Sequence, residues 1–208
     1  MQNTKFLPLA FVFLLAACST SDNPYARIED GPLIPAQLHA VTLVTDSPAL
    51  LEQLPQAGYT MLALQPNYEA AVRVQSMLWD VSEEAAGKAR ILRGGDAQPD
   101  LRVLVTPLEP SAASAADAGV MRAFYRNVLG TDVPQWPEKV KKSDNVRVQV
   151  WTYFISDVLD ARRKLRAHTI PTASEPVGIT TSYLGDEKTM TLRAPDGTIV
   201  ELVQTAAQ

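Results

Sequence analysis

Hydrophobic and polar positions along the chain divide it into short alternating runs and a few helical stripes. Residues 38–45 alternate well enough for a β-strand, and Asp46-Ser47-Pro48 behind them is a helix-start signal. A short helix over 49–56 closes near Gly58, and a strand over 59–64 is stopped by Gln65-Pro66-Asn67. Ala71, Val74, Met77, Leu78 and Val81 recur at three- and four-residue spacing, which predicts a helix over 68–80. Strands at 89–92 and 101–106 flank a Gly94-Gly95-Asp96 turn. The segment 114–129 is a helix with Val120, Phe124 and Val128 on one stripe and Gly130 as its stop. A loop rich in Pro and Lys over 131–145 leads to a strong strand at 146–155. The helix at 157–167 carries Arg162, Arg163, Lys164 and Arg166 toward its C-terminal end, where cations suit the helix dipole. Strands at 179–184, 189–193 and 198–204 complete the chain, the last two joined by the turn Ala194-Pro195-Asp196-Gly197.

In order, 146–203 is β-α-β-β-β. The segment 38–106 follows the same order with one helix inserted after its second strand, so the chain predicts an approximate internal duplication and an α+β fold. Module 1 occupies about 36–107, a connector 108–145, and module 2 about 146–208, the whole forming one domain. A single four-stranded unit would be thin by itself.

Composition narrows the function classes. The 208 residues include one cysteine, which excludes an internal disulfide and any cysteine-clustered zinc site. With 19 basic and 23 acidic residues the net charge is −4, against the basic excess of a dedicated nucleic-acid binder. Residues 1–17 have the form of an export signal: Lys5 supplies the positive region, and residues 6–17 are apolar apart from Pro8. Twelve residues rise only about 18 Å as a helix, too short for a hydrocarbon core of about 30 Å. The run ends in Leu15-Ala16-Ala17-Cys18, which resembles the lipobox of bacterial lipoproteins at all four positions. The resemblance implies cleavage before Cys18 and a lipid on its sulfur. The mature chain would then be anchored in the cell envelope, in the outer membrane facing the periplasm where the host has two membranes. Loss of Lys5 leaves 18 basic against 23 acidic residues, a charge of −5. Residues 18–35 contain three prolines and little apolar periodicity, and are expected to form a lipidated, solvated tether.

Two stretches of the second module carry a further resemblance. Phe154-Ile155-Ser156-Asp157-Val158-Leu159-Asp160-Ala161 and Leu192-Arg193-Ala194-Pro195-Asp196-Gly197-Thr198-Ile199-Val200-Glu201-Leu202-Val203 resemble the vicinal oxygen chelate superfamily of glyoxalases, bleomycin-resistance proteins and extradiol dioxygenases. That resemblance implies paired βαβββ modules, the first degenerate, forming a curved mixed sheet with helices on its outer face. It also implies metal ligands on the first and fourth strand of each module. His39 stands seven residues before Asp46 and Glu201 matches the terminal-strand glutamate, so these are the candidate metal ligands. Val150, seven residues before Asp157, and a position near Val103 occupy the other two places. Two donors out of four argue against catalysis, since a divalent site needs about three protein ligands. No cofactor is expected, although a divalent metal is compatible with the resemblance. Phe124 to Gly130 also resembles the helix end of a family first module, but only 15 residues separate Gly130 from Val146, so this helix is assigned to the connector.

Strand alternation places Val148, Val150, Thr152 and Phe154 on one face, with Ile199 and Glu201 facing them and His39 and Val41 from the first strand. These residues are the candidate pocket. His168 is most simply a helix-end residue, and Trp79, Trp136 and Trp151 are core or rim. No phosphate loop, zinc-helix motif or serine elbow is present. Three functions fit: binding of a small molecule or envelope protein without catalysis, a divalent-metal lyase, isomerase or dioxygenase, or a structural envelope lipoprotein. The partners expected are the membrane through Cys18 and such a ligand, without nucleic acid, and the architecture admits a homodimer.

Overall fold

A computed structural model describes residues 23–95, 98–108 and 116–206. The expected signal, the lipobox and Cys18 lie outside the described residues. Eight strands form one curved mixed sheet in the order β2-β3-β4-β1-β5-β8-β7-β6. They are β1 (Gln37–Thr45), β2 (Thr60–Met61), β3 (Arg90–Arg93), β4 (Asp100–Val105), β5 (Val146–Phe154), β6 (Val177–Thr181), β7 (Gly185–Arg193) and β8 (Ile199–Thr205). Each half repeats one plan. β1 runs parallel to β4 and β5 parallel to β8, while β3 and β7 pair antiparallel to those fourth strands. The halves meet through the antiparallel β1–β5 pair. The α+β fold of two βαβββ modules, the first interrupted, is therefore present.

The helices α1 (Ala49–Gln56), α4 (Ala118–Ala123, continuing as a π-helical turn Phe124–Leu129) and α5 (Val158–Ala167) cover the outer face. Their apolar stripes bury Leu50, Leu54, Phe124, Tyr125, Val128, Leu129, Val158 and Leu165 against Val41, Leu43, Leu101, Val103, Tyr153, Val200 and Leu202. The α4 segment lies between β4 and β5 as a connector, yet Phe124, Tyr125, Val128 and Leu129 of its last turn are fully buried. Asp157 opens α5 by accepting from the amides of Leu159 and Asp160, which explains the aspartate-rich start seen in the sequence.

The insertion between β2 and β3 holds two helices, α2 (Glu69–Trp79) and α3 (Glu83–Gly87). Sequence periodicity predicts only the first. Asp80 ends α2 in a left-handed conformation, and Ser82 starts α3 by accepting from the Ala85 amide. Both pack on the inner face, where Leu78, Trp79 and Ala86 meet Val44, Leu104, Val150 and Ile199.

Residues 23–35 are not a solvated tether. Ile28 and Ile34 are buried, and the amides of Leu33, Ile34 and Ala36 donate to the carbonyls of Asn127, Val128 and Leu129 at 3.0, 2.8 and 3.0 Å. Those carbonyls close the π-helical turn and would otherwise lack partners, so the segment works as a strap across a helix end. Gly130, at φ 69°, permits the approach: a Cβ there would stand 2.9 Å from the Cβ of Pro32. Three prolines gave this stretch the look of a linker, but its isoleucines have a place in the core.

The second hairpin also differs from expectation. Its turn falls at 182–184, not after Leu184, and β7 begins at Gly185 with φ 73°. This shift carries Glu187 onto the inner face and projects Tyr183 from the turn toward β1.

Candidate functional site

The floor of the inner face is polar and sealed. Thr42 of β1 lies opposite Arg102 of β4, and Thr152 of β5 lies opposite Glu201 of β8, the same arrangement in each half. The Arg102 guanidinium donates to Glu201 Oε2 and to Thr42 Oγ1, both at 3.2 Å. Thr152 Oγ1 donates to Glu201 Oε2 at 2.8 Å, and the Trp79 indole donates to Glu201 Oε1 at 2.9 Å. The guanidinium carbon also lies 4.2 Å from the Trp79 ring centre. Arg102 and Glu201 are only 3% and 2% exposed, so this is a buried ion pair in which both carboxylate oxygens are engaged. Gln149 adds a bond to the Trp79 carbonyl at 2.9 Å, fixing the end of α2 to β5.

The symmetry shows that the first-module counterpart of Glu201 is Arg102, one residue before the place spacing assigned to it. An arginine has no lone pair to give a metal and repels one. Both Glu201 oxygens are engaged by donors. The residues at this floor therefore do not fit a divalent ion, and among the described residues no group of three His, Cys, Asp or Glu side chains could hold one.

His39 belongs to a second network. Its Nε2 lies 2.8 Å from the Tyr183 hydroxyl, which donates to Asp100 Oδ2 at 2.6 Å, so the ring nitrogen carries the proton toward tyrosine. Asp100 Oδ1 accepts from the Gly94 amide at 2.9 Å. The imidazole stacks on Phe154, with centroids 3.9 Å apart. Burial pulls the His39 pKa below its ordinary value, against the nearby Asp100 carboxylate, and burial with the Asp100 bond pushes the Tyr183 phenol up. His39 and Glu201 are thus partnered separately. Arg102 lies between the networks, 6.0 Å from the Tyr183 ring centre.

The expected pocket residues divide between the two faces. Val150 and Ile199 are on the inner face but lie under Leu78 and Trp79, Thr152 is bonded to Glu201, and Phe154 supports His39. Val41 and Val148 belong to the outer core instead. The cause is a pair of β-bulges. Leu38 and Ala40 oppose Tyr153 and Thr152, leaving His39 as an extra residue on β1. Thr42 and Leu43 oppose Val150 and Val148, leaving Gln149 extra on β5. Each bulge reverses the alternation beyond it. Arg102, Trp79, Tyr183 and Asp100 were missed. The signal for Arg102 was available, as a lone cation within Leu101-Arg102-Val103-Leu104-Val105.

No family model matches the chain, and no curated protein matches it. Similar solved structures include methylmalonyl-CoA epimerase from Mycobacterium tuberculosis, at 12% identity and a TM-score of 0.46 over 85% of this chain and 91% of that one. A Streptomyces coelicolor methylmalonyl-CoA epimerase in complex with 2-nitronate-propionyl-CoA gives 14% identity and a TM-score of 0.47 over 84% and 99%. A glyoxalase/bleomycin resistance protein/dioxygenase superfamily member from Vibrio splendidus 12B01 gives 9% and 0.38 over 82% and 100%.

The inner face is not filled throughout. The α2–α3 insertion covers β4, β1, β5 and the start of β8, while the opposite flank of α2 faces β6 and β7 across a cavity of about 680 Å³. Ala70, Ala71 and Val74 form one wall, and Ile179, Glu187 and Thr205 lie on the other. Small side chains on α2 leave this room. The size and mainly apolar lining suit a small molecule.

Proposed function

We propose that this chain is a lipid-anchored cell-envelope protein whose vicinal-oxygen-chelate-like domain binds a small molecule without metal catalysis. The observation that carries the non-metal reading is the Arg102–Glu201 pair under Trp79. It neutralises the one carboxylate that the resemblance assigns to an ion, and it bars solvent from it. Among the described residues no helix is long and apolar enough to cross a membrane. The attachment proposed therefore rests on Cys18 and the lipobox, with an outer-membrane, periplasm-facing location in a two-membrane host. The ligand site is the cavity between α2 and β6–β7, displaced from the metal position toward the far wall of the sheet.

Two measurements test this. Cells expressing the full chain are labelled with radioactive palmitate and fractionated. Label on the protein and sedimentation with membranes, both lost in Cys18→Ala, support the anchor, while an unlabelled, freely released wild type overturns it. The full chain purified without chelators is then analysed for metals. Near-stoichiometric metal that disappears in Glu201→Gln would overturn the non-metal reading.

A further inference from the structure

The cavity beside α2 ends on a carboxyl group with unmet bonding capacity. Glu187 is 8% exposed, lines the cavity, and keeps one oxygen, Oε2, without a hydrogen-bond partner. The rest of its environment is set by β6, where Thr181 hydrogen-bonds to the carboxyl group. No neighbouring cation hydrogen-bonds to it. The charge of Arg102 on β4 draws the Glu187 pKa down in part, but its hydrogen bond goes to Glu201 of β8, a second carboxylate that repels Glu187. On β7 the flanking Asp186 and Lys188 are exposed and also border the cavity; Asp186 accepts from Thr180, and neither residue hydrogen-bonds to Glu187. On α2, Glu69 and Arg73 are exposed and pair with each other at 2.9 Å. The inner face thus holds three buried carboxyl groups, Asp100, Glu187 and Glu201, and one buried guanidinium, that of Arg102.

Resting on the ligand-binding reading above, we propose that this cavity takes a small molecule with an apolar body and a single protonated amine, the ammonium group donating to Glu187. A buried acid with no cation bonded to it either keeps a proton or acquires a partner. An ammonium ligand would give Glu187 a cation bonded directly to it, while its apolar part lies against Ala71, Val74 and Ile179. Burial and the charge on Glu201 raise the Glu187 pKa to about 8, so near neutrality the free protein holds a proton there that a bound ammonium displaces. The displaced proton goes to buffer and no covalent bond changes.

The test uses the full chain and three probes with the same body: 4-phenylbutylamine, 4-phenylbutanol and 4-phenylbutyrate, titrated by calorimetry. The expected result is amine binding at least tenfold tighter than either analogue at pH 8. Near pH 7 the amine should release most of a proton per molecule bound, read from the dependence of heat on buffer ionisation. Glu187→Gln should abolish the preference for the amine while leaving weak alcohol binding unchanged. Val74→Trp, which fills the cavity from α2, should remove all three. Equal affinity for the three probes, with loss in Val74→Trp, would overturn the amine assignment and leave the binding reading intact. Failure of every probe to bind the folded protein would overturn both. Should Glu187→Gln fail to fold, the probe ranking and proton release on the wild type decide the matter.

Discussion

Replacing Arg102 by methionine keeps much of the side-chain volume and removes its charge, which isolates the role of the buried pair. In the variant Glu201 retains Thr152 and Trp79 as donors but loses its only cation, with Glu187 close by. Breaking one side of a buried ion pair costs about 3–5 kcal/mol, because the surviving charge is left uncompensated. Loss of the guanidinium from the Trp79 face adds about 1 kcal/mol. Against a total stability of about 5–15 kcal/mol this is a large fraction. With a urea slope of about 2 kcal/mol per molar, the unfolding midpoint should fall by roughly 2 M. Glu201→Leu in the same background should recover stability to within about 1 kcal/mol of wild type, since an apolar replacement removes both charges. Urea melts of the wild type, both single variants and the double variant give the coupling energy. A loss below 0.5 kcal/mol for Arg102→Met, or a double variant equal to the sum of the singles, would refute the reasoning (thresholds of about the size of ordinary additivity error).

Other expectations follow from single residues. Between about pH 5 and 8 folded Glu187 keeps a proton that the unfolded chain releases. Stability should therefore fall as pH rises, by at most about 1.4 kcal/mol per unit from this group, and Glu187→Gln should flatten the profile in chemical melts. Gly130→Ala forces a left-handed alanine and sets its Cβ against Pro32. A loss of about 1–2 kcal/mol from conformation alone is expected, and an unchanged midpoint would contradict the strap geometry. Ile34→Ala should cost about 2–5 kcal/mol if the strap belongs to the core, and nothing measurable if residues 23–35 are a linker. By NMR, His39 should titrate below the ordinary histidine range, and Phe154→Ala should move it back upward by exposing the ring to water.

The repeated β-α-β-β-β order was legible because strand alternation and helical stripes are local. The start of β1, the span of α1 and the start of β5 agree with the sequence reading to within a residue. What failed was inference that assumes an unbroken period. Nothing in Leu38-His39-Ala40 marks a bulge, since the extra residue is defined by its partner strand, and one bulge exchanges Val41 for Thr42 on the inner face. The polar Gly185-Asp186-Glu187-Lys188 has turn chemistry. It became strand because Gly185 tolerates a positive φ and Glu187 found a buried place beside Thr181. Arg102 and Trp79 could not be paired with Glu201 from sequence. They are 99 and 122 residues away, and only the folded sheet with its inserted helix brings them together.

The strap across the π-helical turn also sets the reach of the molecule. An extended chain spans at most about 3.6 Å per residue, so the five steps from Cys18 to Asn23 can reach no further than about 18 Å. With the lipid proposed on Cys18, the protein would be on a short leash, its strap side close to the headgroups. A pull on the anchor would load the bonds from Leu33, Ile34 and Ala36 to the carbonyls of Asn127, Val128 and Leu129 before it reached the sheet. The proposed point of attachment and the packing of the outer core would in that sense be one mechanical element.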